Sequence, residues 1–431
     1  MKPFFVDHEK FLKEIHPLHR TLVHQDMDVA LKCIEKYCPG GLSFKEHLFS
    51  SGEDCWTWKI PQEFVLKKAQ VSNSKGEIVL DALEHPLHIV SYSKPVNQNM
   101  SFEELIKYIH TNPKRPNDIP WVFDYYGDKW GFCMSHNKFL SLDKKDIFNV
   151  VIESEFPSGF LRVGEIKLKG KLKEEIVIVS DYCHPCQVND SISGVSLALE
   201  LLHRFVDVDL HYSLTFIFVP ETIGSVAYLS QREKTIANIK YAIFSDSIGS
   251  SGNLKIQSSR TGDALIDLAI DNLKSETVEI HPFRSVVGND ELIFNGPSVN
   301  VPTISLVRHP FPEYHTSADI PGVIMIEKII EAVNIVELII VNLSLNMYPL
   351  QKYKGVLSLS RYNLFVSKQD DFLLNKAMEK LLMMLDGQKS TLEIAYELNL
   401  KFNVAHDFLM KLKEKDLIEV FSEPYKVGKD D

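Results

Sequence analysis

At 431 residues, 45% hydrophobic and 24% charged, the chain has material for two or three domains with a sizeable core. Its net charge of −11 argues against a general binder of nucleic acid or anionic membrane, which needs a basic surface. Charges are scattered through the N-terminal MKPFFVDHEKFLKEIHPLHR, and six cysteines are spread over a long chain; the expectation is no signal peptide, reduced thiols and a cytoplasmic setting.

Residues 1–40 read as helical: the segment 28–37 is amphipathic, and Pro39-Gly40-Gly41 stops it. From about 42 to 142 the character changes. Short strand-like runs such as Phe64-Val65-Leu66 and Leu87-His88-Ile89-Val90-Ser91-Tyr92 are bounded by turns such as Ser74-Lys75-Gly76. Aromatic residues are dense there, among them Trp56, Trp58, Trp121, Phe123 and Tyr125. Ser101, with Glu104 three residues on, is a capping box for a short helix. The region 44–145 is expected to be a separate β-rich domain.

From 149 onward strands alternate with helices. Strands are predicted at 150–153, 175–179, 213–219 and 241–244, with helices near 192–206 and 225–238. That alternation predicts a largely parallel sheet covered on both faces. A further strand at 301–307 and a closing helix at 324–346 follow; Glu327, Lys328, Glu331 and Glu337 interrupt the apolar run of that helix, which reads as packed and not membrane-spanning. After Tyr348 comes a linker-like stretch, then amphipathic helices at 372–384, 391–398 and 403–413 and a strand at 417–421. Three helices and a strand are the pattern of a winged helix-turn-helix. Its third helix has few cations and carries Asp407, and no arginine follows Arg361. A protein partner or homo-oligomer contact is therefore favoured over DNA.

The chemistry-bearing residues fall where the strands end. The run Ile176-Val177-Ile178-Val179 breaks into a loop carrying His184 and Asp190, with Asp190 expected to cap the next helix. Glu221 follows the strand at 213–219, Asp246 the strand at 241–244, and His315 lies beyond the strand at 301–307. Open α/β sheets bind their ligands at that edge. Each residue alone has a plainer reading: Glu221 favours a helix dipole and Asp246 suits a turn. Together, two imidazoles and several carboxylates are a donor set for catalytic zinc, which activates water and polarises a carbonyl.

The segments HPCQVNDSISG, PETIGS and EYHTSAD, with the strand end at Asp246, resemble the M28-type zinc aminopeptidases. The whole chain resembles more closely the aminopeptidase-like family carrying domains DUF4910 and DUF2172. Its marks in the inserted region are Trp58-Lys-Ile-Pro-Gln-Glu-Phe64, Ser91-Tyr-Ser-Lys-Pro-Val96 and Tyr125-Tyr-Gly-Asp-Lys-Trp-Gly-Phe-Cys133. The resemblance implies an α/β fold: an M28-like zinc-peptidase domain (1–43 and 146–355) with a mainly parallel mixed sheet, an inserted β-rich module similar to a protease-associated domain (44–145), and a C-terminal winged helix (360–431). It implies that Asp190 bridges two metals, that His184 and Asp246 complete one metal position, that His315 belongs to the other, and that Glu221 is the general base. Tyr314 and Arg308, near His315 in sequence, are candidates for substrate contact.

One position departs from the pattern. The aminopeptidases have two adjacent glutamates, and this chain has Glu221 followed by Thr222. Either one zinc binds where two are usual, or Glu221 becomes a ligand. Asp290 or Glu291 would offer a replacement carboxylate, as would the thiolates of Cys183-His-Pro-Cys186, a pair that alternatively reads as a redox motif. Two functions follow as expectations: a zinc-dependent hydrolase of a small peptide or amide, or a catalytically degenerate fold acting as a binding or regulatory protein through its winged helix.

Overall fold

The computed structural model describes residues 4–426, so the first and last few residues of the predicted terminal segments lie outside the described residues. The chain divides into two compact units. The first comprises Met1–Lys255, Val286–Val301 and Ser305–Val333; the second comprises Ile256–Ser285, Pro302–Ile304 and Asn334–Asp431.

The large sheet of the first unit is mixed. Its centre is parallel: Glu175–Asp181 pairs with Ser213–Val219 on one side and with Ile239–Ser245 on the other. Every residue of Glu175–Asp181 and Ser213–Val219 is buried, as a strand covered on both faces requires. Beyond Ser213–Val219 the sheet turns antiparallel, through Phe160–Leu168 and then Phe44–Ser50. Helices Ile192–Phe205 and Ile223–Ser230 follow the central strands; the first matches its expected span, whereas the second ends well short of 238 and is followed by a separate 3-10 turn, Glu233–Asn238. Val177, Val179, Ile217, Val219 and Phe244 form the middle of the core, each worth about 1.5–3 kcal/mol on burial.

Two strand expectations are corrected. Residues 150–153, read as the first strand of the alternating domain, belong to Ile147–Glu155 in a separate four-stranded sheet with Val65–Ser72, Ile78–Asp81 and Val96–Ser101. Its residues alternate in burial, the mark of an antiparallel strand with one open face. Conversely Phe44–Ser50, placed in the inserted region by sequence, pairs into the large sheet. The inserted strands close over their own core of Phe64, Val71, Met100, Phe132 and Phe148. The capping box is present: Ser101 and Glu104 exchange backbone–side-chain bonds at 2.8 and 3.4 Å.

In the second unit, helices Phe372–Leu382, Thr391–Glu397 and Phe402–Glu414 pack around Leu381, Leu385, Ile394, Phe408 and Leu412. The strand Ile418–Phe421 pairs antiparallel with Tyr348–Gln351. The stretch read as a linker after Tyr348 thus begins as a strand, buried at Tyr348 and Pro349. Among the described residues no helix is long and apolar enough to cross a membrane.

Candidate metal centre

The site lies in the first unit, at the carboxyl ends of its parallel strands. Glu175–Asp181 runs straight into the loop that holds His184 and Asp190. That loop is pinned from below by Arg20, fully buried, which donates to the carbonyls of Tyr182, Cys183 and Gln187 at 3.0, 3.1 and 2.5 Å. It is held from the other side by Asp319, whose carboxylate accepts from the backbone N–H groups of Asn189 and Asp190 at 2.8 and 2.9 Å. Asp190 does not cap the next helix: Ser191 occupies that position, and the Asp190 carboxylate lies beside His184 and His315. Gly194 brings the helix against the neighbouring strand, since a Cβ there would lie 2.0 Å from the Ser245 carbonyl oxygen.

Three predicted ligands converge. The ligand atoms of His184, Asp190 and His315 all lie within 4.8 Å of one another, the one such group among the described residues. Asp190 sits between the imidazoles. Its Oδ1 is 3.9 Å from His184 Nε2, and its Oδ2 is 3.1 Å from His315 Nε2. Glu221 joins from the next strand end, with Oε2 3.3 Å from His184 Nε2 and about a third of its side chain exposed. Asp246 lies outside that group of three; it is buried, and its Oδ1 accepts from the Ser247 hydroxyl at 3.1 Å. Tyr314 stacks on the His315 ring at 3.8 Å. His184, Thr222 and His315 all have positive φ, 76°, 62° and 55°, a backbone region that costs a non-glycine residue about 1–3 kcal/mol.

Arg308 is a correction. It was expected to touch substrate, but it is buried and its guanidinium donates to the carbonyls of Ile248, Gly252 and Lys328 and to the Glu331 carboxylate. It ties loops together instead. Asp290 is buried, and its Oδ2 accepts the backbone N–H of Thr222 at 2.8 Å. The carboxylate of Glu291 accepts from the N–H of Asn289.

The carboxyls around the two imidazoles are buried and close to one another. Asp181 is fully buried, and neither of its carboxyl oxygens has a hydrogen-bond partner among the described residues. Burial, followed by the neighbouring Asp290, Cys183, Glu221 and Asp246, pushes its carboxyl well above the usual range. Asp246 is pushed up in the same way, by burial and then by Asp190. Burial opposes charge on Asp190 as well, yet His184 and His315 hold its carboxyl below the ordinary value. Crowded buried carboxylates, one of them without any donor, beside two imidazoles are an environment that a divalent cation would neutralise.

The family model described as a domain of unknown function, DUF4910, matches residues 9–346. The chain belongs to this family. A candidate peptidase of known crystal structure from Clostridium acetobutylicum is similar, with 31% identity and a TM-score of 0.84 over 96% of each chain. A protein from that organism described as a candidate polysaccharide biosynthesis protein with an aminopeptidase-like domain is 35% identical over 316 residues, 72% of this chain and 71% of that one. The zinc aminopeptidase BSAP from Bacillus subtilis shares the fold at 14% identity, with a TM-score of 0.60 over 79% of this chain and 95% of its own. This DUF4910 chain therefore has the M28 aminopeptidase fold.

Several residues of the site escaped the sequence reading. Asp181 is the last residue of the strand that leads to His184, so the strand-end rule already pointed at it. Asp319 closes the segment that contains His315. By sequence Trp121 is one of many aromatics in its region. It comes from the inserted region, and its indole packs edge-on against His184 and His315, with ring centroids at 4.4 and 4.7 Å. No local signal marks Arg20.

Proposed function

We propose that the chain is a zinc-dependent, aminopeptidase-like hydrolase that cleaves an amide or peptide bond beside a free amino group. The observation that carries this reading is the convergence of His184, Asp190 and His315, with Glu221 beside them. Zinc suits the donor set, and His184 and His315 would hold it together with Asp190. When bound, zinc supplies a Lewis acid that polarises a carbonyl and brings the acidity of water near neutrality. Asp246 and Asp181 are buried carboxyls beside these ligands, and a bound cation would favour their charged form. Glu221, the partly exposed carboxylate of the group, takes the proton of the attacking water and returns it to the leaving amine. Trp121 packs against both imidazoles and Tyr314 stacks on His315, which limits the rotation of the rings. A substrate's free amine is attracted by the excess of carboxylates over imidazoles.

One observation favours a second reading, a fold kept for binding or regulation. Thr222 offers no carboxylate where the aminopeptidases have a second glutamate, and its backbone N–H is held by Asp290. On that reading the C-terminal helices act as a protein-interaction surface.

Hydrolysis of aminoacyl-arylamides by the zinc-supplemented protein separates the two. The hydrolase reading expects turnover that falls about 10²–10⁴-fold in Glu221→Ala. No hydrolysis, or hydrolysis that survives Glu221→Ala unchanged, sinks it.

A further inference from the structure

Cys183 precedes His184, and its sulfur is where two parts of the site meet. The Nδ1 atom of His184 lies 3.3 Å from Cys183 Sγ. The backbone N–H of Glu221 donates to the same sulfur at 3.1 Å. Cys183 is buried, so bulk water does not compete for either contact. The other ring nitrogen of His184, Nε2, is the one turned toward Asp190 Oδ1 and Glu221 Oε2.

We propose that Cys183 is a positioning residue for the centre, joining a metal-binding histidine to the general base through one sulfur atom. The inference rests on the hydrolase reading. By accepting the Nδ1–H of His184, the sulfur sets the tautomer that leaves the Nε2 lone pair free for a cation and fixes the ring's rotation. By accepting the N–H of Glu221, it fixes the backbone of the base relative to that ring. Metal-binding histidines depend on an acceptor for their second nitrogen. A serine hydroxyl at this position still accepts a hydrogen bond; an alanine leaves two donors without a partner.

The test compares wild type, Cys183→Ala and Cys183→Ser in three measurements: zinc affinity by chelator competition, kcat and KM on an aminoacyl-arylamide, and the absorption spectrum of cobalt(II)-substituted protein. Cys183→Ala is expected to bind zinc about 10–100-fold more weakly, and to lose kcat at saturating zinc while KM holds. Cys183→Ser recovers most of both, and its melting curve separates repacking from positioning. The wild-type cobalt spectrum is expected to lack a sulfur-to-metal charge-transfer band. Unchanged zinc affinity in Cys183→Ala overturns the inference. So does a charge-transfer band that Cys183→Ala removes, because the sulfur is then a ligand. If wild type binds zinc but hydrolyses nothing, the affinity comparison still decides the matter and only the hydrolase reading fails. A wild type that binds no zinc overturns both.

Discussion

The backbone N–H of Trp121 donates to the carbonyl of His315 at 2.8 Å, while the Trp121 indole lies edge-on to the His315 ring. An adjacent bond, Ser317 N–H to Ile119 carbonyl at 2.8 Å, extends this into a short antiparallel pairing. The inserted region is therefore stitched to the loop that carries a candidate ligand. Trp121→Ala should cost about 3–5 kcal/mol of stability, as loss of a buried aromatic does. Trp121→Phe, which keeps an aromatic face, should cost much less and retain zinc binding. Chemical denaturation with zinc titration on the two variants checks both points; equal loss in both would show that the ring's contact with the imidazoles is irrelevant.

Gly194 is the close approach between helix Ile192–Phe205 and strand Ile239–Ser245. A methyl group there meets the Ser245 carbonyl, which neither backbone can move easily. Gly194→Ala should destabilise by about 1–3 kcal/mol or more and, by pushing the helix outward, weaken zinc binding. A melting temperature indistinguishable from wild type would contradict the packing described.

Arg308 is a structural tie and not a substrate contact. If its guanidinium ties the loops at 248–252 to helix Ile326–Leu345, then Arg308→Met should cost on the order of 2 kcal/mol or more. KM for an aminoacyl-arylamide should stay close to wild type. A rise in KM with unaltered stability would return Arg308 to the substrate.

Glu165 governs part of the acid response. Burial works against its charge, but hydrogen bonds from His47 and Tyr228 and the nearby Arg232 hold its carboxyl down at about 2, from an ordinary 4.5. The folded value lies below the unfolded one, so its stabilising effect is complete above about 4.5 and is lost as pH falls toward 2. Glu165→Gln should lower the melting temperature at neutral pH and flatten its fall in acid. A wild-type-like acid slope in the variant would show that other groups set it.

Much of the centre was legible because strand ends announce themselves. A β-branched run broken by a polar loop places His184 and Asp190, and the end of the next strand places Glu221, on one edge; the structure brings the three together. What stayed hidden depends on contacts distant in sequence. Asp190 reads locally as a helix cap, and only the fold shows its backbone N–H held by the Asp319 carboxylate, distant in sequence. Arg308, near His315 in sequence, reads as a substrate contact, and only the fold surrounds it with carbonyls. The strand Ile147–Glu155 was assigned to the wrong sheet, although its alternation of buried and open residues differs from the unbroken burial of Glu175–Asp181; length and β-propensity masked that difference.

The most direct test of the account is the zinc content of purified protein, wild type beside Asp190→Asn, by metal mass spectrometry after dialysis. Asp190 lies between the two imidazoles, so the account expects bound zinc in wild type and its loss in a folded Asp190→Asn. No zinc in wild type, or the same zinc in both, would contradict it.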